Sequence, residues 1–259
     1  MSPDFSRTSA PPQALDPFDG ILIVDKPRGP TSHDIVDQVR RKFRLRKVGH
    51  GGTLDPQATG LLVLLIGRGT RLSEEFMGAD KIYEGTLHLG IATDSQDGQG
   101  KVIKEADASA VTREQVEAEM KKLTGDIFQT PPMVSAVKVD GVPLYKRARR
   151  GEVVERKARL IHIYEFSITE FTPPRVSFVL NCTKGTYVRT LCADIGEKLG
   201  CGAFLETLRR TRSGSLTIDQ ALSLDEIMGL DLPQLCGRMI PVSRFSAAHG
   251  GASASPAQP

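Results

Sequence analysis

The chain has 259 residues, 25% of them charged, no tryptophan and a net charge of +3. That length can bury a sizeable core in one or two domains. No run of about 18 apolar residues occurs, and residues 1–18 contain Asp, Arg and several prolines but no apolar stretch, so a membrane span and a secretory leader are not expected and a cytoplasmic protein is. The four cysteines, Cys182, Cys192, Cys201 and Cys236, form no Cys-x-x-Cys pair and the histidines are scattered. Zinc is therefore not expected, and small buried thiols are.

Residues 1–18, rich in Pro, Ser and Ala, read as a disordered arm. Gly20 to Pro27 reads as a short apolar strand stopped by the proline. A turn follows, and Ser32 is the predicted N-cap of a helix that gathers Ile35, Val36, Val39 and Phe43 on one face. Residues 40–47 hold six basic residues in eight, and residues 138–160 hold eight against three acids. Concentrated Lys and Arg on a nearly neutral body suggests a polyanion footprint.

Between these runs, residues 47–71 carry the densest signal. Glycines and Pro56 bracket one acid, Asp55, and one histidine, His50, and the apolar run Leu61–Ile66 follows at once. Glycine permits close backbone approach, and proline fixes φ just after the acid. The pattern predicts a rigid loop that presents one carboxylate and then enters a buried strand or helix. Next, Tyr83, Gly85, Leu87 and Leu89 alternate with Ile82, Glu84, Thr86 and His88, which predicts a strand with one apolar face. Residues 93–98 are polar; Asp94-x-x-Asp97-Gly98 lacks the other ligands of a calcium loop and reads as a turn.

Thr112-Arg-Glu-Gln115 is a capping box opening a helix with Val116, Met120 and Leu123 on one face, ended by Gly125. From Phe128 to Gly151, prolines and polar turns interrupt the chain, and no core element is predicted. Arg175–Cys182 alternates as a strand, and Thr183–Thr186 turns into a helix carrying Val188, Leu191, Ile195 and Leu199, with Arg189 in its first turn. Past Phe245 the Ser, Ala, Gly and Pro content predicts a disordered tail. Together the elements read as α+β with a largely antiparallel, mixed sheet.

Four stretches, in this order, resemble motifs of the TruB family of tRNA pseudouridine synthases. They are Leu22-x-x-Asp-Lys26-Pro-x-Gly-x-Thr-Ser32, Gly49-His-Gly-Gly-Thr-Leu-Asp55-Pro, Gln129-x-Pro-Pro-x-x-Ser-Ala-x-Lys138 with its continuation to Arg149, and Lys184-Gly-Thr-Tyr187-Val-Arg189 with Leu208 beyond it. The resemblance spans residues 20 to about 245. It implies a pseudouridine synthase fold with flanking helices and a central RNA-binding cleft. It also implies one catalytic domain, residues 19–245, with a thumb-like RNA-gripping insertion at about 126–158.

In that family the chemistry needs one nucleophile, a cation beside it, a surface for the base and a route for a proton. The resemblance assigns these roles to Asp55, to Arg189 (a permanently charged fork suited to a carboxylate) and to Tyr83, which stacks on the base and relays the proton. A stacked uridine must be extruded, at a cost of roughly a few kcal/mol; His50 is implied to hold the flipped-out state. Leu208, with Leu65 and Ile66, is implied to line the pocket. Lys26 and Pro27 read as structural, packed beneath the loop, and Lys26 also counts among the substrate-contacting residues with Gly52, Thr53, Lys138 and Tyr187. No cofactor and no metal are implied. The expected partner is the T stem-loop of tRNA, with no obligatory protein partner and a monomeric chain.

Two departures stand out. Gly51 follows His50 where many bacterial members carry threonine, and family members usually end in a small RNA-binding PUA domain, for which the residues after Phe245 leave no room. A short member relying more on the thumb is the expectation. The competing readings are the catalytic subunit of a guide-RNA-dependent enzyme and a tRNA-folding chaperone or RNA-binding module.

Overall fold

The computed structural model describes residues 18–246 except 134, 136, 137, 140, 145, 146, 148, 149 and 153, with the backbone alone at 138, 139, 143 and 246. The expected arm up to 17, the expected tail from 247 and those nine residues of the expected insertion lie outside the described residues.

Gly20–Lys26 (β1), Ser32–Lys42 (α1), Val48–His50 (β2), Thr59–Ile66 (β3), Ser73–Gly78 (α2) and Lys81–Leu89 (β4) come first. Ile91–Thr93 (β5) and Val102–Glu105 (β6) form a separate ribbon. Arg113–Lys122 (α3), Gly125–Gln129 (β7), the short pair Lys138–Val139 (β8) and Val142–Pro143 (β9), Arg159–Thr172 (β10), Arg175–Cys182 (β11), Val188–Lys198 (α4) and Ala203–Ser213 (β12) complete the body. Leu216–Thr217 (β13), Leu222–Ser223 (β14), Leu224–Gly229 (α5), Leu232–Arg238 (α6), Ile240–Pro241 (β15) and Ser243–Ser246 (α7) follow.

Among the described residues, eleven strands join one mixed sheet whose main path runs β14-β1-β3-β12-β4-β11-β10-β7. Only β14 on β1 and β12 on β3 are parallel. This is the α+β, largely antiparallel fold that the sequence pattern predicts. Strand β12 therefore lies between β3 and β4, both of which precede it in sequence by far.

Strand β3 is buried on both faces. Leu62, Leu64 and Ile66 join the cluster of Ile35, Val36 and Val39 from α1, while Leu61, Val63 and Leu65 join that of Phe76 from α2. A strand covered on both sides shows no alternation, which is why period alone leaves strand and helix equally open there. Strands β4 and β11 alternate as expected, with Tyr83, Leu87 and Leu89 inward on one and Val176, Phe178, Leu180 and Cys182 on the other.

Three local expectations are corrected. Thr31, not Ser32, caps α1, because Asp34 stands three residues after it: Asp34 N–H donates to Thr31 Oγ1 at 3.1 Å and Thr31 N–H to Asp34 Oδ2 at 2.8 Å. Ser32 instead exchanges hydrogen bonds with the backbone of Leu54. Gly125 does not end α3, which is capped at Leu123; it opens β7 at φ +91°. Finally, Gly125–Gln129 pairs with β10, so the first residues of the expected insertion belong to the main sheet.

Candidate active site

The loop between β2 and β3 is clamped from three directions. The Lys26 ammonium donates to the carbonyls of Pro27, Pro56 and Ala58 at 2.9, 3.1 and 2.8 Å. Arg210 of β12 donates to Leu61 O at 2.7 Å, Gly52 O at 3.1 Å and Thr53 O at 3.5 Å. Ser32 holds both backbone groups of Leu54, and Ala58 N–H closes on Asp55 O at 3.0 Å. Buried backbone groups need partners, and here side chains from distant strands supply them. The result fixes the backbone around Asp55 while its side chain stays 51% exposed.

Two glycines allow this arrangement. Gly60 sits at φ +96° where β3 meets β12, and a Cβ there would collide with the backbone carbonyl of Arg210. Gly51, the departure noted in the sequence, faces Phe76 of α2, whose Cβ occupies the space a side chain would need.

Arg189, in the first turn of α4, reaches Asp55 from behind. Its side chain is 5% exposed, with Nη2 at 3.6 Å from Asp55 Oδ2 and Nη1 at 3.5 Å from Asp97 Oδ2. One buried guanidinium thus stands between two carboxylates. Nothing in the polar turn at residues 93–98 marks Asp97 as a partner. Its polar turn is tied to the same helix, since Thr190 Oγ1 donates to Gln96 Oε1 at 2.8 Å. Among the described residues, no group of three or more His, Cys, Asp or Glu side chains could hold a metal ion.

Tyr187 precedes Arg189, and the Arg189 guanidinium lies 6.0 Å from its ring centre. Buried Gln129 of β7 fixes its backbone, accepting from Tyr187 N–H at 2.7 Å and donating to Tyr187 O at 3.1 Å. Tyr83 lies opposite Arg210 in the β4–β12 register and Leu208 opposite Gly85. Burial raises the Tyr83 phenol above its ordinary pKa although Arg210 beside it pulls the other way, so the hydroxyl keeps its proton.

These side chains border one cavity of about 440 Å³, within the size range of ligand sites. Gly52, Thr53, Asp55, Tyr83, Tyr187, Arg189 and Leu208 all line it, joined by Lys81 and Arg210. Four expected members do not. Leu65 and Ile66 are 0% and 1% exposed inside β3, because that strand is covered on both faces. Lys26 is 0% exposed with its donors spent on loop carbonyls, so it sits beneath the loop and not against a substrate. His50 ends β2 behind the loop, where its Nδ1 accepts from Gly52 N–H at 3.4 Å, which assigns the proton to Nε2. Burial, then Arg210 and His33, hold the His50 pKa below its ordinary value. The side chain of Lys138 is outside the described residues; its backbone lies in β8.

Two lysines near the loop are buried cations. Burial lowers Lys26 to about 8, opposed by Asp55 and Asp34, and lowers Lys81 to about 8. Lys81 donates to the carbonyls of Phe76 at 3.1 Å, Met77 at 3.0 Å and Ala79, closing the end of α2.

The chain is similar to known proteins over most of its length. The family model described as TruB family pseudouridylate synthase (N terminal domain) matches residues 40–188, and the tRNA pseudouridylate synthase B C-terminal domain matches residues 189–233. A tRNA pseudouridine synthase B of Opitutus terrae is 51% identical over 87% of this chain and 93% of its own length. Another, of Syntrophotalea carbinolica, is 49% identical over 81% of this chain and 69% of its own. Among solved structures, a Cbf5-Nop10-Gar1 complex aligns with a TM-score of 0.69 and 29% identity, over 88% of this chain and 61% of that one. An H/ACA RNP bound to a substrate RNA containing 2'-deoxyuridine aligns with a TM-score of 0.66 and 26% identity, over 88% of this chain and 60% of that one. The chain belongs to the TruB family of pseudouridylate synthases.

Proposed function

We propose that the chain isomerises uridine to pseudouridine in tRNA, acting on the T-loop uridine without a guide RNA, with Asp55 as the reacting carboxylate. The observation that carries this is a half-exposed Asp55 carboxylate at the edge of a nucleoside-sized cavity, with the buried Arg189 guanidinium 3.6 Å behind it. The relatives named tRNA pseudouridine synthase B are closer in identity than the Cbf5 complex, which favours the stand-alone enzyme.

The reaction breaks the N1–C1′ bond, joins C1′ to C5, releases the C5 proton and gives N1 one in return. Atoms and electrons balance without an oxidant or reductant. Asp55 supplies a nucleophile held in place before substrate arrives. Arg189 keeps a permanent positive charge beside that carboxylate after a base has covered it. Tyr83 offers its ring to the base; because its hydroxyl stays protonated, it passes the C5 proton on only by giving up its own at the same time. Leu208 supplies apolar contact along the cavity wall. His50, neutral and braced on Gly52, supports the extruded state, and the basic segment around Lys138 grips the stem by phosphate neutralisation.

The test is tritium release from [5-³H]uridine-labelled tRNA transcript, with wild type beside Asp55→Asn. Release by wild type alone supports the reading. Binding of tRNA without release by wild type rules out a stand-alone enzyme and leaves the guide-dependent or chaperone reading.

A further inference from the structure

A second cavity, of about 610 Å³, shares no lining residue with the first. Its floor is apolar, with Phe43 and Ile66 7% and 1% exposed. Its rim is cationic: Arg44, Arg46, Lys47 and Arg71 are all exposed. The acid on that rim, Asp19, is held by Arg68 at 3.1 Å. Among the described residues, no acidic side chain lies within ion-pair distance of those four cations.

Arg44 is placed there against its own backbone preference. Helix α1 ends in a Schellman turn, with Arg44 N–H on Arg41 O at 3.3 Å and Leu45 N–H on Arg40 O at 3.0 Å. The residue after the cap in such a turn is left-handed and is most often glycine. Arg44 sits at φ +55°, a region where an L side chain carries a steric cost that glycine avoids. The sequence thus keeps a guanidinium at the groove where glycine would serve the helix better, and strain of this kind points to function.

We infer that this groove holds the phosphate backbone of tRNA duplex beyond the target loop. The inference rests on tRNA being the substrate. Strand β2 joins the two places: Lys47 precedes it at the groove and His50 ends it beside the catalytic loop, about 10 Å apart at some 3.3 Å per residue. An RNA whose loop enters the first cavity brings flanking duplex toward the second. Four cations with no acidic partner among the described residues share one rim and repel one another, and a polyanion relieves that repulsion.

The experiment measures binding across a KCl series for full-length tRNA transcript, for the isolated T stem-loop and for a single-stranded oligonucleotide of the loop sequence. The proteins are wild type, Arg44→Gly and the triple variant Arg44→Gly/Arg46→Gln/Arg71→Gln. Arg44→Gly is expected to melt at or above the wild-type temperature and yet to bind full-length tRNA several-fold more weakly. The triple variant is expected to flatten the slope of log K against log salt by about 2 to 3, at roughly 0.7–0.9 per lost phosphate contact. The isolated T stem-loop, which carries the flanking duplex, is expected to weaken in the same way, and binding of the single-stranded oligonucleotide of the loop sequence is expected to stay within two-fold. Unchanged affinity and slope for full-length tRNA would overturn the proposal, as would an equal loss on the single-stranded oligonucleotide, which would place the groove at the loop itself. Failure of wild type to release tritium would sink the functional reading, whereas the binding comparison decides the groove separately.

Discussion

Arg210 offers the sharpest test of how the site is held. It is 2% exposed, and its hydrogen bonds to Leu61 O at 2.7 Å and Gly52 O at 3.1 Å are the strong ones; that to Thr53 O, at 3.5 Å, is at the limit of the interaction. A hydrogen bond from a charged donor contributes about 1.5–3 kcal/mol, and a buried carbonyl left without a donor costs about 1–3 kcal/mol. Arg210→Met is therefore expected to lose about 3–5 kcal/mol, a large share of the roughly 5–15 kcal/mol that holds a domain together. Arg210→Lys keeps the charge but replaces a fork with a single ammonium, so about 1–2 kcal/mol is expected. Its effect on chemistry should be larger. A misplacement of about 1 Å costs on the order of 100-fold in rate, and the freed loop carries Asp55. Urea unfolding gives the first quantity, and single-turnover tritium release at saturating enzyme gives the second. The Lys variant should slow turnover about 100-fold with tRNA affinity nearly unchanged, because Arg210 presents almost no surface to a ligand. Near-wild-type turnover, or a loss confined to affinity, would refute the clamp.

Three further outcomes follow from the same geometry. Asp97→Asn removes one of the two carboxylates on Arg189, and turnover should fall at least ten-fold with tRNA binding within two-fold; equal losses in both would count against a role through Arg189. Gly60→Ala places a Cβ against the Arg210 backbone at φ +96° and should cost about 3 kcal/mol or more in urea unfolding. Lys26 has a folded pKa of about 8 against 10.5 when free. Between those values the unfolded chain binds the extra proton, so this lysine's contribution to stability rises with pH, by up to about 3 kcal/mol across the window, and is constant below it. The difference in unfolding free energy between the parent and Lys26→Met, followed from pH 7.5 to 10.5, should carry that slope, and a flat difference would show that the ammonium is not desolvated.

What the sequence showed and what it hid divide along a physical line. Alternation in residues 81–89 and 175–182 is visible because those strands have one buried face, whereas β3 is buried on both and shows only an apolar run. Asp55 and Arg189 are legible because each lies in a short motif whose neighbours fix it. Asp97 is not, since nothing in its turn shows that it faces a helix ninety residues further on. Arg210 stands among Arg209, Arg212 and the threonines of a strand that looks uniformly solvated; burial depends on β3 lying alongside, a non-local fact. The cap of α1 lay between two adjacent hydroxyls, and the aspartate three residues after Thr31 decides it.

The position of β12 has a consequence for biosynthesis. Strands β3 and β4 emerge from the ribosome early; β4 keeps an open edge, and β3 an open Thr59–Gly60 end beyond its pairing with β2, until residues 203–213 arrive between them. The pairing of β12 with β3 is brief, Arg209 with Thr59 and Arg210 with Gly60, yet it delivers the guanidinium that fastens the Asp55 loop. Contacts so distant in sequence form late, after the loop-closure entropy has been met. A nascent chain that has folded everything before β12 would therefore carry the carboxylate without the means to aim it, and competence toward RNA would be acquired in one step, with the insertion of the last long strand.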